Sequence, residues 1–252
     1  MPSISGQSVL IIGASTGIGF AIAKLCLKSK MKIHIASSNA DKISEAANRL
    51  KQAYPDGNIT THICKLGGDD NEATLTATLI EATKDGKLDH IIVTAGDANI
   101  VPMSKVTQPI LEAAASLRMF STILLGKLAP DYLKPHWTSS LIFTGGAVAE
   151  KPMPGYTYPS FFAGGLHPFV RALAVEIKPI RVNVVAPGAT ETEMWGAEDS
   201  EMRKTLKERI SATALLGKPG TPDEVAEAYA YLMKDTNATG MNVSTNGGIT
   251  CQ

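Results

Sequence analysis

The sequence has no excess of either charge, because 24 Lys and Arg stand against 24 Asp and Glu in 252 residues. A summed field near zero gives no reason to expect nucleic acid or an anionic membrane surface as a partner. Cysteine is scarce: Cys26, Cys64 and Cys251 are odd in number and show no paired Cys/His spacing. This argues against a disulfide framework and a zinc site, and we expect buried thiols and no metal. The expected partner is a small molecule.

Long apolar runs are also missing, since no stretch approaches the ~20 residues that a membrane span requires. Residues 1–7 hold no basic segment ahead of an apolar run, so we expect a cytoplasmic protein. No linker rich in Pro, Ser or like charges interrupts the chain, and a hydrophobic content of 44% is enough for one large core. The sequence therefore predicts one domain, residues 1–252.

Short β-branched runs alternate with longer helical patterns along the whole chain. Strands are predicted at residues 9–12, 33–36, 59–64, 91–94, 141–144 and 182–185, and helices at residues 18–29, 41–53, 72–83, 110–128, 161–177 and 223–233. This alternation predicts an α/β fold of about seven parallel strands, doubly wound, with helices on both faces. Ligands of such folds bind at the carboxyl ends of the strands.

A glycine-rich turn joins the first strand to the first helix. Gly13 permits the tight turn, Gly17 lets the backbone approach a pyrophosphate, and Gly19 lets the helix pack on the sheet. The helix N-terminus then faces the phosphates. A glycine turn alone is weak evidence, but here the strand and the helix flank it correctly. The turn predicts a Rossmann dinucleotide site that also includes Ser15, Thr16 and Ile18.

With these features the chain resembles the short-chain dehydrogenase/reductase family, at residues 13–19, 94–96, 171–176, 181–183 and 187–192. The resemblance implies a nicotinamide cofactor and, through paired helices, a homodimer or homotetramer. Lys65 stands where family members keep an Asp near the adenine. The further cofactor contacts that the resemblance implies are Leu66, Ala95, Gly96, Pro187, Gly188, Thr190 and Thr192.

The residues after the second strand decide what the 2′ position of the adenosine carries. A carboxylate there would accept a hydrogen bond from a free hydroxyl and repel a phosphate. Ser37, Ser38 and Asn39 include no acid, although the Arg that many family members place near Ser38 or Thr16 is absent as well. Three neutral donors can bind a 2′-phosphate, so we predict NADPH/NADP+ as the cofactor.

The Tyr-x-x-x-Lys pair of the family is missing. Anchored on Arg171, the Tyr falls at Pro159 and the Lys at Ala163, and a shift of one residue gives Tyr158 and Phe162. The family Ser falls at Gly145 or Gly146, unless Thr144 substitutes for it, and the family Asn falls near residues 116–118. Two glycines and a proline within residues 161–168 disfavour a helix interior, so we expect this helix to start late or to be kinked.

Without the Tyr and the Lys, carbonyl reduction should be slow, because the alkoxide must be protonated as it forms. Hydride added to an iminium carbon gives a neutral amine directly. In this loss the chain resembles divergent fungal members of the family, reductive cyclases of indole-alkaloid pathways. We predict an NADPH-dependent reductase of an imine or iminium in a bulky, apolar secondary metabolite, with or without cyclisation. Two alternatives stay open: a non-catalytic NADP(H)-binding sensor or subunit, and a cyclase or isomerase in which the cofactor is structural.

Two polar residues are candidates for catalysis. Arg118 would orient substrate beneath the nicotinamide, the alternative being a solvated helix arginine. Asp97 would hold a cationic substrate at the mouth of the fourth strand, the alternative being an Asx turn with Asn99. The predicted substrate pocket follows the family's rim and consists of Thr144, Gly145, Tyr156, Tyr158, Met194 and Trp195.

Overall fold

The computed structural model describes residues 2–97 and 100–251. Its centre is a parallel sheet of seven strands in the order β3-β2-β1-β4-β5-β6-β7, which confirms the predicted doubly wound α/β fold. The strands are β1 (Ser8–Ile12), β2 (Lys32–Ser37), β3 (Ile59–Ile63), β4 (His90–Val93), β5 (Ser140–Thr144), β6 (Arg181–Pro187) and β7 (Asn242–Thr245).

Helices cover both faces of the sheet. They are α1 (Gly17–Lys28), α2 (Ala40–Ala53), α3 (Asn71–Ala82), α4 (Gln108–Ala115), α5 (Ser121–Tyr132), α6 (Thr157–Glu176), α7 (Glu201–Thr213) and α8 (Pro222–Lys234). A π-helical turn, Ser116–Phe120, joins α4 to α5, and a 3-10 turn, Glu193–Trp195, follows β6. The sequence pattern did not predict α7.

Alternation along the strands divides the core in two, because successive side chains of a strand point to opposite faces. Val9 and Ile11 of β1 lie in the cluster that α1 and α8 cover, together with Tyr229. Leu10 and Ile12 lie in the cluster on the other face, beneath α3, α5 and α6. The carboxyl ends of β1, β4, β5 and β6 therefore meet at one edge of a rigid, double-sided core.

Helix α6 begins at Thr157 and continues through Pro168 to Glu176. The expectation of a late start near residue 161 is therefore wrong. Gly and Pro in a helix interior cost about 1 and 3 kcal/mol respectively. Burial of Val170 and Leu173 in the core offsets that cost, since each buried aliphatic side chain contributes about 1.5–3 kcal/mol.

Two further expectations meet the structure here. Cys26 and Cys64 are buried, and burial raises the pKa of the Cys26 thiol to about 12, but Cys251 is exposed, so the expectation of three buried thiols is wrong for it. The run Gln108–Tyr132 is apolar and long enough to cross a bilayer by length and composition alone, so the expectation that no stretch approaches that length is wrong. Its buried residues Leu125 and Ala129 pack into the core beside α3, as in a helix of a globular fold.

Candidate active site

The turn between β1 and α1 is pressed against the end of β4. A Cβ added at Gly13, whose φ is +101°, would lie 2.5 Å from the backbone nitrogen of Ala95. A Cβ added at Gly19 would lie 2.2 Å from the carbonyl oxygen of Gly13. Neither position tolerates a side chain, which is why glycine is required at both. The close packing fixes the start of α1 at the carboxyl edge of the sheet.

The N-terminus of α1 is built to hold an anion. Its N-cap residue Thr16 makes no side-chain cap, and no acidic residue lies in the first turn. The first N–H groups of a helix have no intrahelical partner, and the helix dipole adds positive potential there. The Gly17 N–H donates to a carboxylate oxygen of Glu193 at 2.9 Å, so this turn does bind an anionic group. The turn therefore fits a dinucleotide diphosphate, with Ser15, Thr16 and Ile18 beside it.

The end of β2 presents hydroxyl and amide groups. The buried Ser37 hydroxyl donates to the Ser15 hydroxyl at 3.1 Å, which joins this strand end to the glycine turn. Asn39 caps α2 by accepting from the Lys42 N–H at 2.9 Å, and Ser38 is exposed between them. Ser37, Ser38 and Asn39 thus surround one corner of the sheet edge without a carboxylate, and Leu66 follows the neighbouring strand β3.

The segment after β6 meets the glycine turn from the other side. A Cβ added at Gly17 would lie 3.1 Å from the Thr192 side chain. Thr190 is buried, and its hydroxyl donates to the carbonyl of Gly188 at 3.1 Å. Gly188 itself packs against Asn246, since a Cβ there would come within 2.6 Å of the Asn246 Cα. The fold therefore brings residues 187–192 and residues 13–19 together, as the resemblance implied.

Helix α7 is clamped to this segment by Glu191. The Glu191 carboxylate accepts from Lys207 at 3.0 Å and from Arg203 at 3.3 Å. The hydrogen bond from Lys207, aided by Arg203, holds the pKa of Glu191 below its usual range. The buried Arg203 also donates to the carbonyl of Gly196 at 3.2 Å. Sequence reasoning missed this clamp, which holds α7 to the segment that carries Thr190 and Thr192, two of the predicted cofactor contacts.

Arg118 and Asp97, predicted separately, form an ion pair at the end of β4. The Arg118 Nη2 donates to the Asp97 carboxylate at 2.6 Å and also to its backbone carbonyl. The two side chains are 32% and 42% exposed, so the pair faces the solvent-accessible edge of the sheet. A Cβ at Gly96 would lie 3.7 Å from the Arg118 Nη1, which places the guanidinium beside that glycine. Arg118 is thus held over the edge and is not a freely solvated arginine.

The π-helical turn Ser116–Phe120 carries Arg118 and is itself anchored. The buried Asn71 donates to the Ser116 carbonyl and to the Ser116 hydroxyl, both at 2.9 Å. Asn71 also accepts from the Gly67 N–H at 2.8 Å, and the Ser116 hydroxyl donates to the carbonyl of Gly68 at 2.8 Å. Such turns are frequent at functional sites because they change which side chains a helix presents. Asn71 carried no sequence signal, because its role depends on a residue 45 positions away.

The position of the family's serine is occupied by a glycine, which carries no side chain. Gly145 and Gly146 follow β5, and a Cβ at Gly146 would lie 3.9 Å from the carbonyl of Pro187. The nearby Thr144 hydroxyl donates to the Val93 carbonyl at 2.5 Å and therefore accepts from the Tyr229 hydroxyl at 2.6 Å. Burial raises the pKa of Tyr229 well above its usual value. The single hydroxyl hydrogen of Thr144 is thus committed to the strand ends.

The remaining rim residues lie on two segments. Tyr158 is buried in the first turn of α6, while Tyr156, just before it, is half-buried and its phenol pKa is raised by burial, against the opposing effect of Arg209. The loop before α6 touches the segment after β4, since a Cβ at Gly155 would lie 3.0 Å from Ile100. Opposite, the 3-10 turn presents Met194, 57% exposed, and the half-buried Trp195. Asn99, the partner in the alternative Asx turn with Asp97, lies outside the described residues.

Comparison with known proteins agrees with this architecture. Residues 3–251 match the SDR-like Rossmann domain, the domain of short-chain dehydrogenases/reductases. The chain is 41% identical to the short-chain dehydrogenase/reductase ATR9 of Stachybotrys chlorohalonatus, with 98% of each protein covered. It is 34% identical to the short-chain dehydrogenase/reductase malC of Malbranchea aurantiaca, covering 98% of this chain and 95% of that protein. The chain therefore belongs to the short-chain dehydrogenase/reductase family, and the predicted resemblance to it is confirmed.

Two solved structures are similar to this fold. The structure of the MalC reductase/Diels-Alderase from Malbranchea aurantiaca matches with a TM-score of 0.92 at 33% identity, covering 98% of this chain and 97% of that one. An NADPH-bound short-chain oxidoreductase from Pseudomonas aeruginosa PAO1, described as containing an atypical catalytic centre, matches with a TM-score of 0.87 over 96% of each chain. At 21% identity, the second similarity concerns the fold alone.

Proposed function

We propose that this protein is an NADPH-dependent reductase that acts on the C=N bond of an imine or iminium in a bulky, largely apolar secondary metabolite. The observation that carries the proposal combines two features at the carboxyl edge of the sheet. The glycine turn fits a dinucleotide diphosphate, and the polar pair at the end of β4 is Arg118–Asp97, whereas the Tyr-x-x-x-Lys pair of the family is missing. The cytosol is the compartment in which we place it.

NADPH, when bound, would supply the hydride, and the residues around the glycine turn would hold its diphosphate. A hydride that joins an iminium carbon converts C=N⁺ to a C–N single bond and leaves a neutral amine, so charge balances without a proton donor; a neutral imine reacts in the same way once its nitrogen has taken a proton from water. A ketone would become an alkoxide, which needs an acid at the site. Gly145 and Gly146 carry no hydroxyl, and the hydrogen of the Thr144 hydroxyl points to Val93. This edge therefore suits the iminium better than the ketone.

The ion pair supports a role in positioning. Asp97 is already paired with Arg118, so its charge is partly neutralised and its main effect is to hold the guanidinium. An Arg with a fixed orientation can present its other N–H groups to a carbonyl or amide oxygen of the substrate. Catalysis would then come from orientation of the C=N carbon toward the cofactor rather than from proton transfer.

The NADPH preference rests on Ser37, Ser38 and Asn39. Two hydroxyls and an amide surround the end of β2 without an acid to repel a 2′-phosphate. We infer an apolar substrate from exposed apolar side chains near the same edge, such as Ile100 and Met194, because an apolar ligand would shield them from water.

The proposal is tested with a matched pair of substrates, 1-methyl-3,4-dihydroisoquinolinium and 1-tetralone, which share their bicyclic shape. Consumption of NADPH is followed by its near-ultraviolet absorbance. We expect turnover of the iminium at least about 100-fold faster than that of the ketone, because only the ketone needs an acid. Equal rates for the two compounds would contradict the proposal.

A second activity, formation of a ring by cycloaddition, is favoured by the similarity to the MalC reductase/Diels-Alderase. In that case the pocket would fold a diene and an alkene together after or without reduction. Assays with NADP+ and with NADPH separate the two: cyclised product with NADP+ supports a cyclase that works without reduction, cyclised product only with NADPH supports cyclisation after reduction, and a reduced but uncyclised product with NADPH supports reduction alone. The sensor alternative predicts cofactor binding with neither product.

We also propose self-association into a homodimer or homotetramer. Apolar side chains of the α4–α5 run and of α6 are exposed in the single chain, among them Phe120, Ile123, Phe161 and Val175. Large exposed apolar side chains on these two helices are the kind of surface that an interface between copies of the chain would bury. Light scattering at micromolar protein should give twice or four times the monomer mass, and a monomer would refute this part.

A further inference from the structure

One acidic side chain contacts the glycine turn at residues 13–19, which is called the phosphate cradle from here on. Glu193, in the 3-10 turn after β6, accepts a hydrogen bond from the Gly17 N–H at 2.9 Å. Its carboxylate also approaches the glycine turn, since a Cβ at Gly17 would come within 3.8 Å of its Oε2. The residue bridges 176 positions of sequence to reach the N-terminus of α1. This contact connects the segment after β6 directly to the glycine turn.

Glu193 differs in its partners from the other acid of the same segment. Glu191 is held by two cations of α7, Arg203 and Lys207. Within residues 2–97 and 100–251, Glu193 forms no ion pair, and its hydrogen bond is to a backbone amide of the cradle. A carboxylate at a helix N-terminus is stabilised by the free N–H groups and the dipole, as a phosphate would be. Glu193 therefore uses the chemistry that the cradle offers to the cofactor.

We propose that Glu193 is an internal anion that occupies the cradle until the cofactor's diphosphate displaces it, and that it thereby sets the affinity for the dinucleotide. The inference rests on the cofactor site of the proposed function but not on its substrate. Two like charges cannot share the Gly17 amide, so the carboxylate must leave when the diphosphate arrives. The free energy of its contact is then subtracted from that of cofactor binding.

Displacement has a consequence for the substrate rim. Met194 and Trp195 follow Glu193 within the same 3-10 turn, Glu193–Trp195. The preceding Thr192 packs on Gly17, and the Gly196 carbonyl is held by Arg203, so the turn lies between two fixed points. When the carboxylate leaves α1, any change in the conformation of the turn would move Met194 and Trp195. Cofactor binding would therefore shape the rim before the substrate enters.

The test is calorimetric titration of NADP+ into the full-length protein and into Glu193→Gln, without substrate. The amide loses the negative charge and keeps its size, so we expect Glu193→Gln to bind NADP+ about 2- to 5-fold more tightly at low ionic strength. The gap should shrink with added salt, which screens an exposed contact. Adenosine 2′-monophosphate, which has no diphosphate, should bind both proteins equally.

Glu198→Gln is the matched control, because Glu198 is exposed on the same loop and its substitution removes the same charge. A second readout is the fluorescence emission of Trp195, measured in a Trp137→Phe background. NADP+ should change this emission, and the Glu193→Gln variant without cofactor should already show the emission of the NADP+-bound protein. Equal NADP+ affinity of wild type and Glu193→Gln, or an equal gain in Glu198→Gln, overturns the inference and leaves the reductase proposal standing. Failure of every variant to bind NADP+ overturns both.

Discussion

The buried histidine at the start of β4 predicts a steep loss of stability in mild acid. His90 is fully buried, and its Nε2 donates to the Gln7 side chain at 2.7 Å while its Nδ1 accepts from the Ser140 hydroxyl at 2.8 Å. Both ring nitrogens are satisfied in the neutral form. Burial, reinforced by the charge of Arg181, lowers the pKa of His90 to about 3. The imidazole therefore stays neutral in the folded protein well below its unfolded pKa.

The magnitude follows from linkage. In the unfolded chain His90 takes up a proton below about pH 6.5, whereas the folded protein does not until about pH 3. Stability is complete above the unfolded pKa and falls as the pH drops between these values. Each pH unit costs about 1.4 kcal/mol, so about 2 kcal/mol is lost between pH 7.5 and pH 5. The half-buried pair His34 and His62, whose pKa values are also lowered by burial, adds loss of the same sign.

Urea unfolding of wild type, His90→Leu and His136→Asn at pH 7.5 and at pH 5 measures this contribution. His136 is exposed and serves as the control. The loss of unfolding free energy between the two pH values should be about 2 kcal/mol smaller in His90→Leu than in the other two proteins. An equal loss in all three would refute the reasoning. If His90→Leu does not fold, an NMR titration of wild type replaces it, and a His90 pKa near 6.5 would be the refuting result.

Three further substitutions test the site. Arg118→Ala should lower turnover of the iminium by about 10- to 100-fold while the Kd for NADPH measured by titration changes by less than about twofold, because the ion pair positions substrate; unchanged turnover would remove Arg118 from the site. Ser37→Asp should shift the ratio of NADPH to NADH affinity by about tenfold toward NADH, because the new carboxylate repels a 2′-phosphate; an unaltered ratio would contradict the assignment. Gly19→Ala should abolish cofactor binding, since its Cβ would lie 2.2 Å from the Gly13 carbonyl, whereas Gly68→Ala, with no atom within 4 Å, should bind normally; normal binding by Gly19→Ala would refute the packing argument.

The sheet and the cradle were predictable because their signals are local. Buried parallel strands read as short β-branched runs, and Gly13, Gly17 and Gly19 form a pattern within seven residues, although the contacts that require glycine at Gly13 and Gly17 come from the distant residues Ala95 and Thr192. The start of α6 was not predictable from the sequence. The penalties for Gly and Pro act locally, whereas the burial of Val170 that offsets them comes from packing against other elements. Helix α7 was missed because of its thirteen residues only Arg203 is buried, so no apolar face marks it.

The candidate site was predictable as residue types and not as contacts. Arg118 stood near the position of the family's Asn and Asp97 at the mouth of the fourth strand, but their ion pair joins residues 21 positions apart through a π-helical turn. That turn depends on Asn71, and no periodicity distinguishes it from an α-helix. Glu193 offered one signal, an acid beside Thr192, which is a predicted cofactor contact. Its contact with Gly17 depends on how β6 and α1 meet in space.

The central claim is that hydride reaches a carbon of a C=N bond at this edge of the sheet. It is tested most directly by incubating the protein with NADPH dideuterated at C4 and an iminium substrate, followed by mass spectrometry of the amine. The account predicts one deuterium on the former iminium carbon for each NADPH consumed. An amine or cyclised product without deuterium, or no product at all, would contradict it.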